Sequence, residues 1–220
     1  MNKETVRRVV MTVLGVLMSG VAVGLYKNAA LGVDPFQVFA WGIFYALRRI
    51  WPAITYGTYY MALSGVMLAV VLVINRRKIG LGTLINMFLL GYVIDCTEAF
   101  IRANIPVVTL PARLAMFAVA LLITCLFASC YMVADMGVSV YDALAITWSE
   151  RSTVPFRVCR IVTDVLCVAI GSALCLVGGE KLGGIVHVGT IITALCMGPI
   201  IAWFNKALWE PVRYGRKLRS

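Results

Sequence analysis

Long stretches without a charged residue constrain this chain more than any other feature of its sequence. Residues 53–74 and 114–134 contain no Asp, Glu, Lys or Arg. Each is long enough to cross the hydrocarbon core of a bilayer as a helix, which takes about 20 residues. Composition agrees, since 61% of the 220 residues are hydrophobic and 14% are charged, against about half and about a quarter in soluble proteins. The sequence therefore predicts an all-α, polytopic membrane protein.

Six crossings fit the length of the chain. We predict them at about 9–26, 53–74, 82–101, 114–134, 156–178 and 182–204. Two further segments, 34–50 and 139–149, are apolar but too short for a comfortable crossing. Segments of this length are typical of short helices that lie in the headgroup layer or dip into the bundle as re-entrant pieces, and the sequence leaves both possibilities open.

The basic residues indicate how the chain is oriented. An arrangement with both termini in the cytoplasm puts 14 of the 20 Lys and Arg residues inside, as the positive-inside rule requires. This inner set includes a stop at 76–78 and a basic tail at 207–220. The six outer residues are Lys27, Arg48, Arg49, Arg102, Arg113 and Lys181. Because the charge of +10 sits at helix ends and forms no basic face, nucleic acid is not an expected partner.

The two halves of the sequence resemble each other. At an offset of 105 residues, Tyr26, Gly32-Val33 and Phe36-Gln37 align with Tyr131, Gly137-Val138 and Tyr141-Asp142; at 107, Gly82-Thr83 aligns with Gly189-Thr190. We predict a duplication with a first unit at 1–110, a second at 111–206 and the tail at 207–220. Each unit has three crossings and one short helix. Because three is odd, the second unit is inverted, a design in which transporters place the solute site between the repeats.

Five motifs give the chain a family resemblance. They are A-x-L-G-x-x-P-F-Q at 29–37, G-L-G-T-L-I-N with a later Asp at 80–95, M-G-V-S-V-Y-D-A-L at 136–144, R-x-x-x-D at 160–164 and G-T-x-x-x-A-L-x-x-G-P at 189–199. Together they resemble the YczE/YyaS/YitT-like family of bacterial integral membrane proteins. The resemblance implies a small protein of the bacterial cytoplasmic membrane, often regarded as a transporter, and it implies no particular substrate.

The same resemblance bears on individual positions. The acid of the family's first motif is Gln37 here, whereas the acid of the second motif is kept as Asp142. The family's Arg-x-x-x-Glu appears as Arg160 and Asp164. The arginine that the family carries before the second acid is absent, which argues against an anion-binding role for that turn.

Polar residues in or near the spans are the candidate functional residues, because an ionisable group at membrane depth costs a few kcal/mol. For solute binding we predict Asp34, Gln37, Thr83, Asn86, Asp142 and Thr190. For proton coupling or gating we predict Asp95, Arg160, Asp164 and His187.

Structural explanations compete with these roles. Asp34 before Pro35 reads as a helix N-cap, and Asp142 suits the positive end of a helix dipole. Arg160 and Asp164, four residues apart, can simply neutralise each other. Asp95 is predicted nearer the outer boundary than the midplane, and a lone His187 is commonly structural.

The sequence favours a transporter of a small polar solute, with proton coupling as a further expectation. It contains no nucleotide-binding loop, metalloprotease motif or nucleophile elbow, so we expect no enzyme, cofactor or metal. Two alternatives remain at this point. One is a solute-binding subunit energised by a partner ATPase, and the other is a membrane regulator that does not transport. A second copy of the chain is a further possible partner, beside the lipid bilayer and the solute.

Overall fold

The computed structural model describes residues 3–75, 79–105, 109–154, 156–179 and 185–214. The predicted basic stop at 76–78, Lys181 and the end of the basic tail at 215–220 lie outside these residues. The described chain is helical, and its elements are α1 Lys3–Ala29, α2 Pro35–Ile50, α3 Tyr56–Asn75, α4 Leu81–Asn104, α5 Leu110–Ala134, α6 Val140–Arg151, α7 Phe156–Val177, α8 Val188–Phe204, a π-helical turn Asn205–Trp209 and α9 Glu210–Tyr214.

Six helices among these residues are long and apolar enough to cross a membrane. They are α1, α3, α4, α5, α7 and the continuous stretch from α8 to the end of α9, which confirms the predicted number of spans. Their outward faces carry exposed apolar side chains such as Val73, Leu195 and Trp203. Since water disfavours such a surface and lipid does not, the molecule has the build of a polytopic membrane protein.

Helix α1 lies at the centre of the bundle, between α4 and α5. Gly15 of α1 packs against Tyr131 near the end of α5, whereas Gly24 packs against Thr97 near the end of α4. Thus α1 runs antiparallel to α5 and parallel to α4. These directions put the starts of α1 and α4 and the end of α5 at one end of the bundle, here called the amino-terminal end.

The two short helices lie inside the bundle. Helix α2 runs along α7, and Arg49 at its far end donates a hydrogen bond to the carbonyl of Val177 at 3.0 Å. Helix α6 runs along α3, and Arg151 donates to the carbonyl of Ile74. The first turns of α2 and α6 are buried while their last turns are exposed. Each short helix therefore starts in the interior, and the two leave it toward opposite ends.

The turns before α2 and α6 have the same backbone conformation. Ala30 and Asp135 have φ values of 51° and 52°, and Gly32 and Gly137 have φ values of 108° and 106°. At the two glycines a side chain would also collide with the start of a helix from the other half of the chain, Thr190 Oγ1 at 2.6 Å and the Gly80 nitrogen at 2.5 Å. These positions require glycine on both counts.

Backbone hydrogen bonds hold these turns to the other half of the chain. The Gly189 N–H donates to the carbonyl of Leu31 at 2.8 Å, and the Gly82 N–H donates to the carbonyl of Met136 at 2.7 Å. The turn before α2 is thus bonded to the first turn of α8, and the turn before α6 is bonded to the first turn of α4.

Two arginines, 105 residues apart, close the ends of α1 and α5. Arg113 Nε donates to the carbonyl of Ala29 at 2.7 Å, and Arg8 Nε donates to the carbonyl of Ala134 at 2.8 Å. Each guanidinium thereby satisfies carbonyls that a helix end leaves without a partner. Arg113 was among the exceptions to the positive-inside pattern, and this contact gives it a structural reason to be there.

Candidate functional site

The amino-terminal ends of α2 and α6 meet in the interior of the bundle. Asp34 caps α2, its Oδ1 accepting from the Gln37 N–H at 3.2 Å, and Ser139 caps α6, its Oγ accepting from the Asp142 N–H at 3.1 Å. Phe36 of α2 and Tyr141 of α6 stack on each other with ring centroids 4.6 Å apart. The two residues occupy equivalent positions at the 105-residue offset, so the contact lies where the two halves of the chain meet.

Charged side chains collect around this stack. Arg160 of α7 forms ion pairs with Asp142 and, through Nε at 3.3 Å, with Asp164. The Tyr141 hydroxyl donates to Asp164 Oδ1 at 2.5 Å, and the Arg160 guanidinium lies 4.5 Å from the centroid of the Tyr141 ring. Asp34 lies two residues before Phe36, at the amino-terminus of α2. We call Asp34, Gln37, Tyr141, Asp142, Arg160 and Asp164 the central cluster.

The first half of the chain makes a neutral counterpart to this ion pair. The Tyr56 hydroxyl donates to Gln37 Oε1 at 2.6 Å, and Trp41 stacks on Tyr56 with centroids 3.9 Å apart. Gln37 aligns with Asp142 at the offset of 105 residues. Gln37 makes a buried hydrogen bond in the first half, whereas Asp142 makes an ion pair in the second half. The charge of the cluster is therefore concentrated on α6 and α7, with Asp34 as the single acid from the first half.

Half of the predicted residues come together in this cluster, namely Asp34, Gln37, Asp142, Arg160 and Asp164. Thr83 and Thr190 do not join them. Their hydroxyls donate to the backbone carbonyls of Val138 at 2.7 Å and Ile185 at 3.2 Å. Both threonines therefore fix the starts of α4 and α8. Asn86 is buried on α4, and among the described residues no hydrogen bond links it to the cluster.

The two remaining candidates lie away from the cluster. Asp95 Oδ2 accepts from the Gly57 N–H at 2.6 Å and so caps the first turn of α3, near the bundle end opposite the start of α1. His187 is the exposed N-cap of α8. These positions fit the structural explanations given for both residues.

Sequence reasoning overlooked several tyrosines that line the cluster. Tyr141 and Tyr56 bond to it directly, while the Tyr60 ring meets the edge of Phe36 with centroids 6.3 Å apart. Tyrosine in a membrane protein is commonly an interfacial anchor, so the sequence did not single these residues out as part of a functional site. The available signal was the 105-residue offset, which aligns Phe36 with Tyr141.

A cavity of about 470 Å³ opens at the amino-terminal end of the bundle. Its lining includes Arg8 of α1, Asp135, Val138 and Ile146 of α6. Val138 directly precedes Ser139, the N-cap of α6. The cavity therefore reaches the turn that leads into the central cluster.

Asp34 lies in the linker between α1 and α2, outside the six long apolar helices. Burial raises the pKa of its carboxyl from 3.8 to about 6, an effect that the bonds to the first turn of α2 and the charge of Arg160 oppose. The charge of Asp164 acts in the same direction as burial. This carboxyl thus holds a proton up to a higher pH than an ordinary aspartate does.

We expect the Asp34→Asn variant to gain stability relative to the parent chain as the pH rises. A carboxyl whose pKa is raised on folding stabilises the fold fully below its unfolded pKa of 3.8, and this contribution is lost as the pH rises through about 6. Asparagine keeps the oxygen that caps α2 and cannot ionise. Melting temperatures of both proteins from pH 4 to pH 8 measure the effect, and a difference that stays constant over this range contradicts it.

The fold and the cluster define the class of this protein. It is a helical protein with the build of a polytopic membrane protein, and a buried charged centre lies between its two halves. Residues 6–206 match the model of DUF6198, a family of unknown function, and the chain belongs to that family. It is 24% identical over 187 residues to an uncharacterised protein of Haemophilus influenzae, covering 84% of this chain and 77% of that protein. No solved structure matches the chain. The resemblance to YczE-like proteins stays a prediction.

Proposed function

We propose that this protein transports a small polar solute across the bacterial cytoplasmic membrane, with both termini in the cytoplasm, and that it acts without enzymatic chemistry. The solute binds at the central cluster, between two inverted units of three crossings each. Protons on the carboxyls of the cluster are coupled to its movement.

The meeting of α2 and α6 carries this proposal. Two helix amino-termini that converge inside an apolar bundle are a recurrent way of building a solute site, because the positive ends of their dipoles favour polar ligands. Here the same place also holds Asp142, Arg160 and Asp164, with relative side-chain exposures of 12%, 30% and 10%. If these charges served only to link helices, they would cost less free energy at the ends of the bundle, where water solvates them.

The matching halves support the inverted arrangement. The left-handed turns, the caps of α2 and α6 and the arginines that close α1 and α5 recur at the offset of 105 residues. Because α1 and α5 occupy equivalent places and run antiparallel, the second unit is upside down relative to the first. Rocking of one unit against the other would then expose the cluster to each side in turn.

The test begins with binding. Purified protein is melted in the presence of pooled metabolites, where a ligand at 100 times its Kd adds about 2.7 kcal/mol to stability. Each solute found is then offered to proteoliposomes at two pH values. We expect pH-dependent uptake in the parent protein and loss of that dependence in Asp142→Asn and Asp164→Asn.

The matched control is Asp135→Asn, which changes an acid whose side chain is 72% exposed and keeps a residue that tolerates a positive φ. Uptake that keeps its pH dependence in both cluster variants defeats the proton-coupled mechanism. Native purification addresses the alternatives. A bound ATPase would identify a subunit that depends on a partner, and a folded protein that binds no metabolite would favour a regulator.

A further inference from the structure

The two ends of the bundle are packed differently around equivalent residues. At the amino-terminal end, Val138 and Ile146 line the cavity of about 470 Å³ and are half-buried. At the offset of 105 residues these positions correspond to Val33 and Trp41, which are 0% and 2% exposed. The wall that borders a cavity in the second half is therefore packed shut in the first half.

Trp41 lies at the end of the bundle opposite the cavity. The ammonium of Lys27, in the last turn of α1, is 4.0 Å from the centroid of the Trp41 ring. The cavity is instead lined by Thr5 and Arg8, in the first two turns of α1. At a rise of about 1.5 Å per residue, Arg8 and Lys27 are about 28 Å apart along the helix. The open end and the packed end thus lie on opposite sides of the central cluster.

The Trp41 ring covers the cluster from the packed end. Trp41 follows Gln37 by one turn of α2, so the two side chains lie on the same face of the helix. Tyr56 joins them, because its ring stacks on Trp41 with centroids 3.9 Å apart and its hydroxyl donates to Gln37 Oε1 at 2.6 Å. Since α2 runs from the interior toward the packed end, the Trp41 ring lies between Gln37 and that end.

The contacts of the Trp41 ring can be released by a movement of the ring. Stacking on Tyr56 and the ammonium of Lys27 hold it in place. Its buried Nε1–H donates no hydrogen bond to the described residues, although a buried tryptophan usually has such a partner. The ring can therefore turn away without breaking a hydrogen bond of its own, and the N–H group gains water when it does.

We infer that the protein is open on the side of its amino-terminal end, where the cavity is the entrance to the central cluster, and that Trp41 is the gate that closes the opposite side. In the proposed orientation the entrance faces the cytoplasm. The roles of entrance and gate rest on the proposed transport function. They add which side of the bundle is open and which side chain closes the other.

The first test measures from which side water reaches the cavity. Ile146→Cys in membrane vesicles of either orientation is treated with a charged, membrane-impermeant methanethiosulfonate, and modification is counted above that of the parent's own cysteines. We expect modification to be about tenfold or more faster from the side of the amino-terminal end, because openings on the other side belong to minor states that hold up to about 10% of a population.

Val165→Cys is the matched control for the first test. Val165 is 62% exposed on the outward face of α7, which is more accessible than the half-buried Ile146 if solvent alone is considered. In a membrane this face contacts lipid, where a charged reagent is disfavoured. The thiol at position 165 should therefore react slowly from both sides.

The second test removes the gate. The thiol of Gln37→Cys should react slowly from the side opposite the cavity, and adding Trp41→Ala should speed this reaction about tenfold or more. Trp41→Phe, which keeps a ring on Tyr56, should leave the rate near that of Gln37→Cys alone. Trp41→Leu fills more of the space than alanine and is measured beside it, so that loss of folding in the alanine variant leaves the test intact.

Trp51→Ala is the matched control for the second test. Trp51 is the C-cap of α2 at the same end of the bundle, but it is 64% exposed and takes no part in the stack on Tyr56. Its removal should leave the Gln37→Cys thiol as slow as before. Melting temperatures of all variants show whether each is folded.

The outcomes separate the inference from the transport function. Modification of Ile146→Cys at equal rates from both sides, or faster from the side opposite the cavity, overturns the entrance. A Gln37→Cys thiol that reacts no faster with folded Trp41→Ala or Trp41→Leu than with Trp51→Ala overturns the gate. Either result leaves solute uptake by proteoliposomes standing. If the thiols react as expected and no solute is taken up, one-sided access stands and the proposed transport fails.

Discussion

Replacing Gly171 with alanine will separate α2 from α7 and destabilise the protein by about 3 kcal/mol, the upper part of the range for overpacking. A Cβ atom at this position would run into the carbonyl of Val38 and lie 2.6 Å from the nitrogen of Phe39. Both obstacles are backbone atoms, which cannot turn aside as a flexible side chain does. Equilibrium unfolding in mixtures of mild detergent and SDS measures the loss.

Gly65→Ala is the matched control for this prediction. Gly65 lies in α3, and a Cβ atom there would meet nothing within 4 Å. The same substitution should therefore leave stability unchanged or raise it by up to about 1 kcal/mol through helix propensity. Gly42→Ala should resemble the Gly171 variant, because its Cβ would lie 2.8 Å from the Gly171 Cα. Equal effects at positions 65 and 171 would contradict a tight crossing of α2 and α7.

Removing the charge of Arg160 is the second change with a large expected effect. Arg160→Met leaves Asp142 and Asp164 buried without their cation, and breaking a buried pair in this way costs about 3–5 kcal/mol. Neutralising both acids as well, in the triple variant with Asp142→Asn and Asp164→Asn, should recover most of the loss. The same unfolding measurement applies.

Arg102→Met provides the comparison for a pair of the same type at the surface. Arg102 bonds to Glu98 across one helical turn, and its side chain is 73% exposed. An exposed pair of this kind contributes about 0–1 kcal/mol, so little should change. A triple variant as unstable as Arg160→Met would show that the loss comes from packing and not from unbalanced charge.

The sequence was a reliable guide where bilayer thickness sets the length of an element. The six spans were predicted within a few residues at most of their ends, because apolar runs of that length have few alternatives. The largest differences are at α1, which begins at Lys3 and not near residue 9, and at α8. That helix begins at Val188 and not near residue 182, and it continues through a π-helical turn to Tyr214. Helix α1 therefore includes the charged residues before the apolar run, and the last helical stretch continues into the charged residues that follow it.

The sequence was a weaker guide wherever tertiary contacts decide. Segment 34–50 could lie flat or enter the bundle, and its packing through Gly42 against Gly171 selects the interior. The pairing of Arg160 with Asp164 follows from their spacing, whereas the contact with Asp142 depends on how α6 lies against α7. The tyrosines of the cluster were not predicted for the same reason, because a single sequence does not reveal which face of a span turns inward.

The arginines that close α1 and α5 also bear on how the chain is made. When the first half has been synthesised, the carbonyls of Ala29 and Ala30 still lack the guanidinium of Arg113, and Gly82 still lacks the carbonyl of Met136. Arg8 likewise lacks its acceptor, the carbonyl of Ala134 at the end of α5. The first half therefore lacks the partners of these groups until the second half lies beside it.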